Sequence, residues 1–236
     1  MHRPFRFKQF QVAQDRTAMK VGTDGVLLGA WTDISEADSI LDIGAGTGLI
    51  ALMLAQRSTA ETIDALEIDA DAFEQCVENF EASTWGDRLF CYHAALQEFV
   101  GEIDDSFDLI VSNPPFYSEG MMSGDTQRDQ ARQNDFLPFD VLINGAAQLL
   151  APQGSFAVVV PYSEYENFVA LAEAVKLYPN RVTHVKGNPD VPFKRSLLQF
   201  SRTKMPLEPA ELIIETERHR YTEAYTTLTR DFYLKM

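Results

Sequence analysis

Leu41-Asp42-Ile43-Gly44-Ala45-Gly46-Thr47-Gly48 is the stretch on which the fold turns. The residues that lead into it, 39–43, form a short apolar run of strand character, and those that follow, 48–56, carry apolar side chains three or four positions apart. The glycines therefore sit where a strand passes straight into a helix. Glycine permits a tight turn at such a place and lets a ligand approach the backbone, where a larger side chain would block it. The spacing is GxGxG, whereas a turn that seats a pyrophosphate on a helix N-terminus reads GxGxxG. The pattern favours a ligand without phosphates over a dinucleotide.

Outward from this turn the same alternation repeats. Further strands are expected at 62–66, 89–92, 107–111, 155–160, 181–186 and 197–202, and further helices at 70–81, 137–150 and 164–177. Strands alternating with helical patterns build βαβ units and a parallel sheet. Asn188-Pro189-Asp190-Val191-Pro192 breaks the chain between the last two strands, which are expected to pair as an antiparallel edge. The fold class is α/β, with a seven-stranded, mostly parallel sheet, an antiparallel edge strand and helices on both faces. No repeat or Gly/Ser-rich linker divides the chain, so residues 1–236 are read as one domain, with extensions at 1–35 and 205–236 around a core at 36–204.

Composition sets limits on partners. With 45% hydrophobic residues over 236 positions, the chain can bury a full core. Its longest apolar stretches, Gly25 to Trp31 and Phe156 to Pro161, fall short of the roughly 20 residues a bilayer span needs. Met1-His2-Arg3-Pro4-Phe5-Arg6 lacks the apolar core of a signal peptide, so a cytoplasmic protein without a membrane partner is expected. Cys76 and Cys91 form no CxxC pair, and His2, His93, His184 and His219 lack ligand spacing, so no metal is expected. The net charge of −15 argues against a polyanion only if it is evenly spread, and it is not. Residues 1–20 carry +4, residues 21–175 carry −23, and residues 176–236 carry +4. An acidic body with basic ends can hold a polyanion at those ends.

The second strand closes with Glu67 at its carboxyl end, the edge where open α/β sheets bind ligands. A carboxylate there can accept both hydroxyl protons of a ribose; Asp69 is the adjacent rival. Asp42 lies beneath the glycine turn, either binding backbone amides or touching the ligand. The fourth strand runs into Ser112-Asn113-Pro114-Pro115-Phe116. An exocyclic aryl amine is a poor nucleophile because its lone pair is conjugated with the ring. Two acceptors, the Asn113 side-chain oxygen and the Pro114 carbonyl, can hold its N–H groups out of conjugation, with the prolines fixing the backbone. Phe116 can stack on the base.

Together, the glycine turn, Glu67 and Asn113-Pro114-Pro115-Phe116 resemble the Rossmann-like class I S-adenosylmethionine-dependent methyltransferases that modify amino groups. That pattern is shared by adenine-N6 and guanine-N2 nucleic-acid enzymes and by protein-glutamine enzymes. Phe7-Lys8-Gln9-Phe10, the stretch from Met19 to Trp31 and Tyr221-Thr222-Glu223-Ala224-Tyr225 resemble the bacterial tRNA-valine adenine-37 N6-methyltransferase family. The resemblance implies S-adenosylmethionine as cofactor, tRNA as partner, and Asp42, Gly44, Gly46, Gly48, Glu67, Thr23 and Asp24 as cofactor residues. It implies catalysis by Asn113, Pro114 and Phe116. Lys8, Arg16, Arg128, Arg132, Lys194 and Arg195 are candidate contacts to substrate phosphates. One departure stands out: an acidic residue commonly follows the third strand and holds the cofactor's adenine amino group, and here Ala95 stands in that segment.

Overall fold

The computed structural model describes residues 3–17, 19–115 and 137–236. A short hairpin of β1 (Phe5–Arg6) and β2 (Gln11–Val12) precedes α1 (Thr23–Trp31). The alternating body follows: β3 (Ser39–Ile43), α2 (Leu49–Arg57), β4 (Thr62–Glu67), α3 (Ala70–Glu81), β5 (Leu89–His93), α4 (Leu96–Glu102) and β6 (Phe107–Ser112). Beyond it come α5 (Phe139–Leu149), β7 (Leu150–Pro161), α6 (Tyr165–Ala174), β8 (Tyr178–Lys186), β9 (Arg195–Ser201) and β10 (Ala210–Ile213). The pair β11 (Glu215–Glu217) and β12 (Arg220–Tyr221) and then α7 (Glu223–Thr229) complete the chain.

Eight strands form the central sheet in the order β10-β8-β9-β7-β6-β3-β4-β5. β9 runs antiparallel to both neighbours, and the other pairings are parallel. The α/β class and the mostly parallel sheet are as expected from sequence. The antiparallel strand differs in place. The Asn188–Pro192 breaker does join β8 to β9, but β9 inserts between β8 and β7, and the edge belongs to an eighth strand, β10, parallel to β8. Four residues with one fully buried position, Leu212, leave too little period-two pattern to stand out in the sequence.

Successive residues of a sheet covered on both faces must be apolar on both sides. Ile40, Ile63, Leu109 and Val159 accordingly enter one core with α1, α2 and α3. Leu41, Leu66, Ile110 and Val158 enter a second core with α4, α5 and α6. Chain order places the working edge. From β3 the chain proceeds outward through β4 to β5, then returns to the other side of β3 as β6. The strand order therefore reverses between β3 and β6, and a crevice opens beyond their carboxyl ends, the place where such sheets bind ligands.

α1 was missed as a helix because it is apolar nearly all round, with every residue from Gly25 to Trp31 buried. Gly25 and Gly29, four apart, let α2 approach it closely. A methyl group added at Gly29 would lie 2.8 Å from Met53 Sδ, and one at Gly25 would lie 3.1 Å from Leu49 Cδ2. No helix among the described residues is long and apolar enough to cross a membrane.

Candidate active site

The two signature segments meet at the switch point. Ile43 and Ser112 are register partners at the ends of β3 and β6, and Ser112 Oγ donates to the Ile43 carbonyl at 2.8 Å. The glycine turn and Asn113 thus leave the sheet side by side. Gly44, Gly46 and Gly48 have φ of 74°, 56° and 76°, a left-handed run that side chains resist. Gly44 and Ala45 donate to the Leu66 carbonyl at 2.9 and 3.0 Å, which fastens the turn to the end of β4.

The three glycines face different surroundings. A Cβ built on Gly44 or Gly46 meets no described residue within 4 Å, so among these residues both border open space. On Gly48 it would meet Phe80 Cε1 at 2.5 Å and Cys76 Sγ at 2.9 Å, so that glycine makes room for α3. Glu67, 8% exposed, accepts from Gly46 N–H at 2.7 Å through Oε2 and from Asp69 N–H at 2.9 Å through Oε1. Burial pushes its carboxyl above the ordinary range, against the pull of those amides. The Ile68 amide also draws on the carboxylate, and the acceptor capacity that remains can meet a ligand hydroxyl. Asp69 caps α3 instead, its side chain accepting from Ala72 N–H at 2.8 Å.

Asp42 is fully buried, and its Oδ2 accepts from Ala51 N–H in the first turn of α2 at 3.2 Å. It therefore binds a backbone amide beneath the turn. Its Oδ1 has no partner among the described residues. Burial, opposed by the Ala51 amide and assisted by the nearby Glu67 charge, pushes the carboxyl up to about 7.

Asn113 lies beside the start of α1: a methyl group on Gly25 would sit 3.8 Å from its Nδ2. Its Oδ1 is buried and unpartnered among the described residues, and Pro114 is buried behind it. Such an acceptor forfeits about 1–3 kcal/mol unless a donor arrives. Phe116, Arg128 and Arg132 lie outside the described residues.

Of the other candidates, Thr23 and Asp24 open α1. Asp24 Oδ2 receives Arg195 Nε at 2.7 Å, joining the first turn of α1 to the start of β9. Arg16 is held by Glu74 at 3.0 Å and by Glu78, and the bond to Glu78 raises its pKa. Lys8 Nζ donates to the Arg230 carbonyl at 2.6 Å, while Lys194 is exposed at the rim. Phe7 bridges Tyr233 and Lys8 N–H donates to the Phe232 carbonyl at 2.8 Å, so the two basic ends of the chain converge. Ala95 begins α4, and its N–H donates to Glu98 Oε2 at 3.2 Å.

The structure adds a pair of residues that sequence reading missed. Asn79 is 3% exposed; its Nδ2 donates to the carbonyls of Ala13 and Thr47, both at 2.9 Å, and its Oδ1 accepts from Ala13 N–H at 2.8 Å. Gln75 Oε1 accepts from the amides of Asp15 and Arg16 at 3.0 and 3.1 Å. These amides strap the N-terminal segment across the glycine turn. The signal was available: Ala72, Gln75, Cys76, Asn79 and Phe80 follow the three-four spacing of the buried face of α3, and two of the five are polar.

Comparison with known proteins gives the family and the fold. The methyltransferase small domain family model matches residues 19–179. The tRNA1(Val) (adenine(37)-N6)-methyltransferase of Flavobacterium johnsoniae is 59% identical over 98% of this chain and 100% of its own length. Its counterpart of the same name from Flavobacterium psychrophilum is 60% identical over 98% and 100%. Among solved structures, a predicted O-methyltransferase from Agrobacterium tumefaciens superposes with a TM-score of 0.68 at 20% identity, over 89% of this chain and 96% of its own, a likeness of fold. Family and fold imply S-adenosylmethionine as the methyl donor. The family match over residues 19–179, together with near-full-length relatives that share one name, makes this chain a methyltransferase belonging to the methyltransferase small domain family.

Proposed function

We propose that this enzyme methylates N6 of adenine 37 in a valine tRNA, using S-adenosylmethionine. The observation that carries the reading is the buried Oδ1 of Asn113, which has no partner among the described residues and stands at the end of β6, next to the glycine turn. The relatives' shared name supports the substrate. The residues present suit the cofactor: Gly44 and Gly46 border open space, and Glu67 offers carboxylate lone pairs at the adjoining strand end. Thr23 and Asp24, which open α1, are assigned to the cofactor as well.

When bound, the cofactor supplies an electrophilic methyl group on a sulfonium. Asn113 Oδ1 and the Pro114 carbonyl accept the two N6 hydrogens, which turns the nitrogen lone pair out of conjugation and toward the methyl carbon. The interaction strengthens as the nitrogen becomes pyramidal and positive, so it acts on the transition state. The proton lost from that cationic nitrogen passes readily to solvent, and no strong base is required. Phe116 stacks on the flipped adenine.

Residues 1–236 act as one methyltransferase unit in the cytoplasm. Lys8, Lys194 and Arg195, with Arg128 and Arg132, approach backbone phosphates, and the convergence of the two basic ends supports an RNA partner for an otherwise acidic chain. Arg16 and Arg195 are the weaker contacts, because Glu74 and Glu78 occupy the first and Asp24 the second. Mass spectrometry of nucleosides from tRNA incubated with the protein and labelled cofactor should show N6-methyladenosine. Label in guanine-N2 or in protein glutamine would overturn the substrate.

A further inference from the structure

We propose that Tyr162, Phe193 and His184 form a platform on which an unpaired nucleotide adjacent to the target adenine stacks. The inference rests on the RNA substrate proposed above and names a second contact for it.

The three rings gather at the carboxyl edge of the sheet. Tyr162 follows β7 directly, Phe193 lies two residues before β9, and His184 is near the end of β8. Pro161 is the register partner of Arg195, and Arg195 of Val185, so all three strand ends lie level. That edge continues the one bearing Asn113, since β6 neighbours β7. At about 4.8 Å between strands and about 3.3 Å per residue along them, with the β6 end level with Val158, the cluster lies roughly 10–20 Å from the β6 end, within reach of the next nucleotides of one strand.

The rings are assembled as a surface. Tyr162 meets His184 edge-on at 4.9 Å and Phe193 at 5.2 Å, and Tyr165 also meets His184 edge-on at 4.9 Å. Phe156, Phe168 and Phe200 are fully buried in the core, whereas Tyr162 stays 40% exposed and His184 and Phe193 are only half-buried. The upper cluster therefore does more than complete the core. His184 Nδ1 is within 2.9 Å of Ser196 Oγ, which fixes the ring. Burial lowers its pKa, so it presents a neutral face near pH 7.

Charge complements the rings. Lys186 Nζ sits 5.2 Å from the centroid of Phe193, and Lys194 is exposed next to it. Arg195 is engaged with Asp24, and the nearby acids Glu164 and Asp190 lie on flanking turns. In a chain of net charge −15, aromatic rings interleaved with lysines at the reaction edge match a single-stranded polyanion, because every base offers a π-face and every phosphate a negative charge.

The test uses the full chain and an anticodon stem-loop RNA that carries 2-aminopurine next to the target adenine. Wild-type protein should quench the probe by stacking. Tyr162→Ala and Phe193→Ala should relieve the quenching and raise the half-saturating RNA concentration by about 5–150-fold each, while Tyr162→Phe and Phe193→Tyr restore both. Single-turnover methylation of full-length tRNA, run in parallel, should show the same rise in half-saturation and a much smaller change in limiting rate. If wild type does not quench the probe, or quenching survives both alanine substitutions, the platform is wrong and the surface serves some other partner. If RNA binds with quenching and its adenine gains no methyl group, the platform stands and the adenine-N6 reading fails.

Discussion

Alanine placed in turn at Gly44, Gly46 and Gly48 should separate the cofactor cradle from the scaffold beneath it. All three glycines have positive φ, between 56° and 76°, so each substitution first pays about 1–2 kcal/mol for forcing a side chain into the left-handed region. At Gly48 the new methyl group would also stand 2.5 Å from Phe80 Cε1 and 2.9 Å from Cys76 Sγ, both within a packed interior. Overpacking of that kind adds about 1–3 kcal/mol, for a total of about 2–5 kcal/mol and a fall in Tm of roughly 4–20 °C in a chain of this size. At Gly44 and Gly46 no described residue lies within 4 Å, so stability should drop by about the backbone cost alone. The methyl group would instead project into the space assigned to S-adenosylmethionine. Denaturation midpoints and titration calorimetry, measured on the same samples, would read both effects. Gly46→Ala should lose cofactor affinity by about tenfold or more, a penalty of about 1.4 kcal/mol, with a modest fall in Tm, whereas Gly48→Ala should lose stability with affinity nearly intact. Equal losses of affinity at all three positions, or a stable Gly48→Ala, would refute the division.

Glu67→Ala removes the acceptor of the Gly46 and Asp69 amides, and calorimetry should show S-adenosylmethionine binding weakened by about 1–3 kcal/mol; unchanged affinity would remove Glu67 from the cradle. The Asp42 carboxyl titrates at about 7 when folded, against 3.8 as an isolated group. The folded state therefore holds the extra proton between these values, and stability should fall as pH rises from about 4 to 7. Asp42→Asn should lose that slope in denaturant titrations across the range, and parallel profiles for the two proteins would contradict the assignment. Asn79→Leu strands three backbone partners at Ala13 and Thr47, at about 1 kcal/mol or more each. Hydrogen exchange over residues 13–16 should quicken markedly in that variant; unaltered protection would show that the strap is held elsewhere.

The body of the fold was legible because its signals are local. The 39–43 strand and the 70–81 helix occur where periodicity placed them, and the glycine turn was read from three residues. α1 was not legible as a helix, because burial all round erases the polar face that periodicity needs. β10 was too short, and the insertion of β9 between β7 and β8 is a matter of long-range pairing that no local pattern encodes. In the candidate site, Glu67 and Asn113 declared themselves through position at strand ends. The partners of Asp24 and Arg16 did not, since Arg195 lies 171 residues from Asp24 and Glu78 lies 62 from Arg16.

Single-turnover methylation of tRNA by Asn113→Ala, at saturating cofactor and RNA, bears most directly on the chemistry proposed here. The Oδ1, without a partner among the described residues, contributes mainly once the amine nitrogen begins to turn pyramidal, so its removal should act on the rate and spare ground-state binding. The variant should methylate about 10²–10³-fold more slowly, with cofactor and tRNA affinities close to those of the wild type. A rate near that of the wild type would contradict the amine-holding role of Asn113 and leave the Asn113-Pro114-Pro115 turn a piece of scaffold.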